Sequence, residues 1–221
     1  LRDENYFNTS YKIYINTVSQ IFNYVGININ TSPVLDVRRN HSHKIIGDRS
    51  FSTNFKKVSE LGKLCIKLYE KNKIATVVKH IPGHGLAKQD SHYKKPTIYA
   101  SKKELVKKDF KAFKNCNSLF AMTAHVIFAS YDKINTATQS EIIIRNIIRK
   151  HINFKGILIS DDISMKSLDG RIENKALKAL KAGCNLVLHC NGKIKEMKKL
   201  SKVVPEIDKF TQKKTSHFYR F

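Results

Sequence analysis

The sequence predicts an α/β protein built on a parallel sheet, and three observations lead there. Short runs rich in β-branched residues alternate along the chain with amphipathic helical stretches. Five such runs occur, each followed by a helix, which is the order that successive βα units produce. Polar residues collect directly behind the runs: Asp36, Lys79-His80, His125, Asp161-Asp162 and Cys190-Asn191. In barrels and doubly wound sheets alike, function sits at those C-terminal strand ends.

Taken in order, apolar residues at Tyr11, Ile15, Val18, Phe22 and Val25 recur at helical spacing, and Gly26 ends the stretch. Ile27, Ile29 and Val34-Leu35 read as an extended segment leading to Asp36. Ser52 or Thr53 is positioned to cap a second helix with a buried stripe of Phe55, Val58, Leu61, Cys65 and Leu68. Ile74 to Val78 reads as a strand buried on both faces. Ser101 and Glu104 form a capping-box pattern that opens a helix through Val106, Phe110 and Phe113. Ser118 to Ala124 is the next strand, and Ser140 is placed to cap the helix carrying Ile143, Ile144, Ile147 and Ile148. Gly156 to Ser160 is a strand running into Asp161-Asp162. A helix through Ala176, Leu177 and Leu180 stops at Gly183, and Leu186 to Leu188 is the fifth strand. The last helix carries Ile194, Met197 and Leu200, before Pro205.

Composition sets the outer bounds. With 221 residues, 41% hydrophobic and 27% charged, the chain buries a sizeable core as one domain or at most two. Four prolines and nine glycines exclude a collagen-like repeat. No run approaches the roughly 18 apolar residues of a membrane span, and no charged-then-apolar signal pattern opens the chain. It begins at Leu1 rather than Met, which leaves a removed leader or an upstream segment open. Cys65, Cys116, Cys184 and Cys190 contain no C-x-x-C pair and read as buried thiols in a reducing compartment. The formal charge is +23, from 41 Lys and Arg against 18 Asp and Glu. That suggests a nucleic-acid partner, but only eight of the basic residues are arginine and the lysines are scattered. They read as a solvated outer face.

The densest constellation is Lys79-His80-Ile81-Pro82-Gly83-His84-Gly85, followed by Asp90-Ser91-His92. Pro82, Gly83 and Gly85 keep the segment from being helical, so it is a shaped loop behind a strand. His80, His84, His92 and Asp90 have the chemistry of metal ligands, but no ligand spacing on a regular helix supports a metal. The second constellation is Ser160-Asp161-Asp162-Ile163-Ser164-Met165, two carboxylates at a strand end. One of the pair is suited to capping or loop support, and a carboxylate held there can attack an electrophilic carbon or bind a cation.

The string from Lys79 to Gly85, with Asp90-Ser91-His92, closely resembles the signature of glycoside hydrolase family 3, of the β-N-acetylglucosaminidase (NagZ) type. Three further segments match that family in the same order: Pro33 to Val37 with Ile46 to Phe51, Met122 to Val126, and Ser160-Asp161-Asp162 with Met165. The resemblance runs to about Asn191 and then fades. It implies a (β/α)8 TIM-barrel type of fold. Family members begin with further βα units that include an Asp-Gln-Glu-Gly-Gly stretch and an arginine, and nothing here matches these. A closed barrel takes about 250 residues, and roughly two βα units are therefore expected to be missing from this chain. Residues 1–204 are expected to form the partial catalytic barrel and 205–221 a C-terminal tail.

By the resemblance, Asp161 is the nucleophile of a retaining reaction, and His92 is the acid/base, positioned by Asp90. Arg49, Lys79 and His80 bind sugar hydroxyls. Asp162 supports the loop or caps the following helix, and Asp36 fixes its own turn. The implied substrate is a carbohydrate, a terminal β-linked N-acetylglucosamine on muropeptides released in peptidoglycan recycling. The resemblance implies no metal and no cofactor, no nucleic-acid partner, no membrane span, and a cytoplasmic monomer. Two other readings stay open: an inactive, degenerate barrel fragment, and a metal-dependent hydrolase on the same barrel.

Overall fold

A computed structural model describes residues 2–39, 46–89 and 95–218. The elements run α1 (Arg2–Tyr24), β1 (Ile29–Asn30), α2 (Phe55–Lys71), β2 (Ala75–Ile81), β3 (Thr97–Ile98), α3 (Lys102–Lys107) and α4 (Asp109–Phe113). They continue β4 (Phe120–Thr123), β5 (Ile127–Phe128), the π-wound helix Ile143–His151, β6 (Ile157–Asp162), α5 (Ile172–Ala182), β7 (Leu186–Leu188), α6 (Ile194–Leu200) and α7 (Lys209–Phe218). Five strands form one sheet in the order β1-β2-β4-β6-β7, every pair parallel. The strands follow one another in space as in sequence, the one-way order of a (β/α) barrel rather than the reversal of a doubly wound sheet. The small pair β3-β5 lies outside that sheet.

Alternation along the strands sorts side chains onto two faces. Val78, Ala121 and Leu158 point to one face and join the large core beneath the helices, with Val58 and Ile66 of α2, Phe110 and Phe113 of α4, and Ile144 and Ile148. Ala75 and Val77, Phe120 and Met122, Ile157 and Ile159, and Leu186 and Leu188 form a separate apolar layer on the opposite face. On a barrel-type sheet this second layer is the inner one. Continuing the same alternation from Val77 and Ile159, Lys79 and Asp161 are the next inner-face positions.

Most of the sequence-derived elements are present, and the differences have physical causes. The second helix is capped by Asn54, whose side chain accepts from the Lys56 N–H at 2.9 Å; Ser52, expected in that place, accepts instead from the Asn54 N–H. Ser101 and Ser140 cap as expected, accepting from the N–H groups of Glu104 and Ile143. The helix that Ser101 opens is broken at Lys108, beyond which the Asp109 carboxylate is buried against Arg39 at 2.7 Å. Gly183 closes α5 at φ 116, a conformation that a side chain would strain. The last expected stripe is buried only at Leu200, with Ile194 and Met197 exposed. Cys65, Cys116 and Cys184 are buried thiols, whereas Cys190 is exposed. The segment read as a tail carries α7, whose start is tied by the Asp208 side chain accepting from the Thr211 N–H at 2.6 Å. Among the described residues, no helix is long and apolar enough to cross a membrane.

Candidate active site

The sequence places Lys79-His80 and Asp161-Asp162 just behind strands, but the strands are longer than their apolar runs. β2 extends to Ile81 and β6 to Asp162, so all four residues stand on the last rungs of the sheet. Simple alternation would aim His80 at the helix-covered face. The β2–β4 register shifts between Lys79 and Ile81, and this irregularity turns His80 round. Its Nε2 lies 4.0 Å from Oδ2 of Asp161. The Lys79–His80 and Ile81–Pro82 peptide bonds are cis.

Behind His80 stands Asp36, with no exposed surface. Its Oδ2 accepts from His80 Nδ1 at 2.7 Å, and its two oxygens also accept from the backbone N–H groups of His80 and, at 2.6 Å, His84. Asp36 was expected to fix its own turn; it organises the histidine loop of the neighbouring strand instead. An isolated carboxylate buried this deeply would be forced toward neutrality, and three donors keep it charged. Burial raises its pKa, but the adjacent His80 and His84 outweigh that and hold it below the usual range. The segment Val34–Val37 lies close against this loop. Val34 bridges to Lys79, and a Cβ on Gly85 would strike the carbonyl oxygen of Val37, so glycine is required there.

Asp161 offers its carboxylate to an incoming ligand, its side chain 18% exposed. Burial raises its pKa, but His80, His125 and the Asp162 N–H, which donates to its Oδ1 at 2.8 Å, bring the balance below the ordinary value. It is ionised at neutral pH. Asp162 has a different task. It accepts from the N–H and hydroxyl of Ser164 and from the Cys190 N–H at 3.1 Å, which joins the ends of β6 and β7. This is the loop-support role expected of it; the helix cap is not, since α5 begins ten residues later behind Arg171.

Lys79 has a depressed pKa, from burial first and then from the positive charge of Arg49, partly offset by Asp161 and Asp36. Arg49, on the 3₁₀ turn Gly47–Arg49, is exposed at the rim. The structure thus brings Arg49, Lys79, His80 and Asp161 to one end of the sheet. Asp90 and His92 lie outside the described residues. His84, weighed as a metal ligand, is buried edge-on to His80 with ring centroids 5.7 Å apart, and its pKa falls to about 4 through burial and the neighbouring His80. Among the described residues, no three ligating side chains converge to hold a metal ion. Sequence reasoning missed the link from Asp36 to His80, and also Thr138, whose hydroxyl meets His125 at 2.7 Å.

A one-way parallel sheet with an ionised carboxylate and cationic donors at its C-terminal rim defines a barrel-type α/β scaffold, and comparison with known proteins gives its family. The glycosyl hydrolase family 3 N-terminal domain matches residues 11–217, and the chain belongs to that family. The match continues well past Asn191, into α7. The chain is 35% identical over 204 residues to a beta-hexosaminidase of Photobacterium profundum, covering 88% of this chain and 60% of that protein. It is 37% identical over 173 residues to a beta-hexosaminidase of Haemophilus influenzae, covering 76% and 48%. Among solved structures it superimposes on NagZ from Neisseria gonorrhoeae in complex with N-trifluoroacetyl-D-glucosamine, with TM-score 0.85, 28% identity, 96% of this chain and 61% of that one. The chain therefore spans about half to three fifths of the length of the curated relatives it matches.

Proposed function

We propose that this chain carries the nucleophile and part of the sugar-binding rim of a retaining β-N-acetylglucosaminidase. The observation that carries the reading is Asp161: ionised, partly open, at the inner-face end of β6 and 4.0 Å from His80. Relatives named beta-hexosaminidase, and a neighbour holding a derivative of glucosamine, support the substrate class.

In this reading Asp161 attacks the anomeric carbon while the bond to the leaving oxygen breaks, and His92, protonated and oriented by Asp90, gives that oxygen its proton. Water then attacks the same carbon, its proton passes to His92, and the Asp161 carboxylate departs, with net retention. Two positive charges at the rim, Lys79 and Arg49, are suited to donate to sugar hydroxyls, as is His80. His80 is fixed for that task by Asp36: with Nδ1 on the carboxylate, its Nε2 faces the site. The proposal extends to muropeptide fragments of peptidoglycan recycling as the natural source, and to a monomer working in the cytoplasm.

The test is turnover of p-nitrophenyl β-N-acetylglucosaminide by the full-length gene product in excess EDTA, beside the β-glucoside. Release from the N-acetylglucosaminide alone is expected. Loss of activity with chelator, or equal rates on both sugars, would overturn the reading.

A further inference from the structure

The Met122–Val126 segment is the one family-matching motif without a part in the chemistry above. Its His125 is wholly buried, so it touches no substrate. His125 Nε2 lies 3.0 Å from the carbonyl oxygen of Asp162, and its Nδ1 lies 2.7 Å from Thr138 Oγ1. Thr138 Oγ1 is in turn 2.8 Å from Thr123 Oγ1. All three side chains are buried.

The partners fix the protons. A carbonyl oxygen can only accept, so Nε2 carries the hydrogen. Burial disfavours the charged ring, so Nδ1 is left as an acceptor. The Thr138 hydroxyl faces it at 2.7 Å, with the Ala124 carbonyl at 3.2 Å as a second acceptor for its one proton. The result is one connected chain of Thr123, Thr138, His125 and the Asp162 carbonyl.

The chain ends on β6 beyond the last residue that pairs with β4. The β4–β6 ladder has its last paired register at Met122 and Ile159. On the other side the β6–β7 register shifts between Ile159 and Asp162. The β7 ladder resumes at Asp162, where the Ile163 N–H donates to the Leu188 carbonyl at 2.9 Å, but on the β4 side no ladder pair holds the backbone around Asp161. That backbone matters, because the Asp162 N–H is the group that donates to Asp161 Oδ1. His125 grips the carbonyl of the same residue.

We propose that His125, held by Thr138 and Thr123, is a positioning residue that fixes the Asp162 backbone and through it the attacking carboxylate of Asp161. The proposal rests on Asp161 being the nucleophile. A carboxylate displaced by even an ångström loses much of the benefit of its placement, on the order of 100-fold in rate. Substrate affinity, set by other side chains, is untouched by such a displacement.

The experiment measures covalent labelling of the full-length gene product by a 5-fluoro N-acetylglucosaminyl fluoride, with peptide mass mapping, in four forms: unsubstituted, His125→Phe, His125→Gln and Thr138→Val. The unsubstituted protein is expected to be labelled on Asp161. His125→Phe fills the space without the donor and is expected to slow labelling about ten- to hundredfold, with unchanged saturation by the sugar. His125→Gln carries an amide N–H to the same carbonyl and is expected to recover most of the rate. Thr138→Val, nearly isosteric, is expected to fall between and to melt near the unsubstituted protein. It decides the matter if His125→Phe fails to fold. Labelling of Asp161 at full rate in His125→Phe and Thr138→Val overturns the positioning role. So does equal slowing in the Phe and Gln variants, which would make His125 a packing residue. A label on another residue of the unsubstituted protein overturns the nucleophile reading itself, and is recognisably a different failure.

Discussion

Oδ2 of Asp36 lies 2.7 Å from Nδ1 of His80, and the two belong to different βα units. The carboxylate satisfies one ring nitrogen and two backbone N–H groups of the histidine loop at once. Asp36→Ala strands all three donors and is expected to cost about 3–5 kcal/mol. Asp36→Asn keeps the shape and one acceptor while removing the charge, and is expected to cost about 1–3 kcal/mol. Urea unfolding of the two variants measures both. Equal losses would mean that the charge plays no part.

Stability is expected to fall as pH drops from about 6.5 to about 4. Folded His84 stays neutral down to about 4 because of burial and then His80, whereas in the unfolded chain it protonates near 6.5. Between those values the unfolded state binds more protons, so acid favours unfolding, by roughly 3 kcal/mol for this one group. His125, also depressed by burial, adds in the same direction. Asp36 and Asp161 act elsewhere: their folded pKa values lie below 3.8, so their contribution is lost only in stronger acid. Urea midpoints at pH 7 and pH 5 should differ clearly in the unsubstituted protein and less in His84→Gln. An identical pH slope in both would refute the assignment to His84.

Neighbouring aspartates are expected to separate cleanly by assay. Asp161→Ala should abolish turnover while leaving the melting temperature close to that of the unsubstituted protein. Asp162→Ala removes three accepted hydrogen bonds at the β6–β7 junction and should cost about 1–3 kcal/mol, with residual turnover. Loss of turnover by Asp162→Ala in a fully stable protein would reverse the two roles.

Replacement of His92 by Ala should injure substrates with poor leaving groups far more than activated aryl glycosides, which depart with little protonic help. Water then lacks a base, so a burst is expected as the covalent intermediate accumulates. Azide needs no deprotonation and should restore turnover as a β-glycosyl azide. Uniform loss on all substrates, with no rescue, would make His92 a binding or structural residue.

The order of strands and the location of the site were legible in sequence because both follow from local pattern. β-branched runs announce strands, and polar residues behind them mark the functional rim. Links between distant segments were not legible. Arg149 donates to the carbonyls of Phe154 and Gly156 and to the Asn185 side chain, fastening the start of β6, yet it looks like any other basic residue on an amphipathic helix. Asp36 likewise has no partner within its own segment, so its bond to His80 became visible only once β1 and β2 lay side by side. The position of His80 depends on a register shift, which strand alternation alone cannot foresee. Asn54 took the cap from Ser52 and Thr53 because several neighbouring residue types can serve, and backbone geometry chooses among them.

Asp36 follows β1, which contributes two paired residues, and Val34, which makes a single bridge to Lys79. The deepest charge in the site is thus moored to its shallowest strand. Release of that mooring would free His80, and with it the neighbour that does most to hold the Asp161 carboxylate below its ordinary pKa. In cooperative terms the histidine loop and the end of β6 form one unit, coupled through the charge they share.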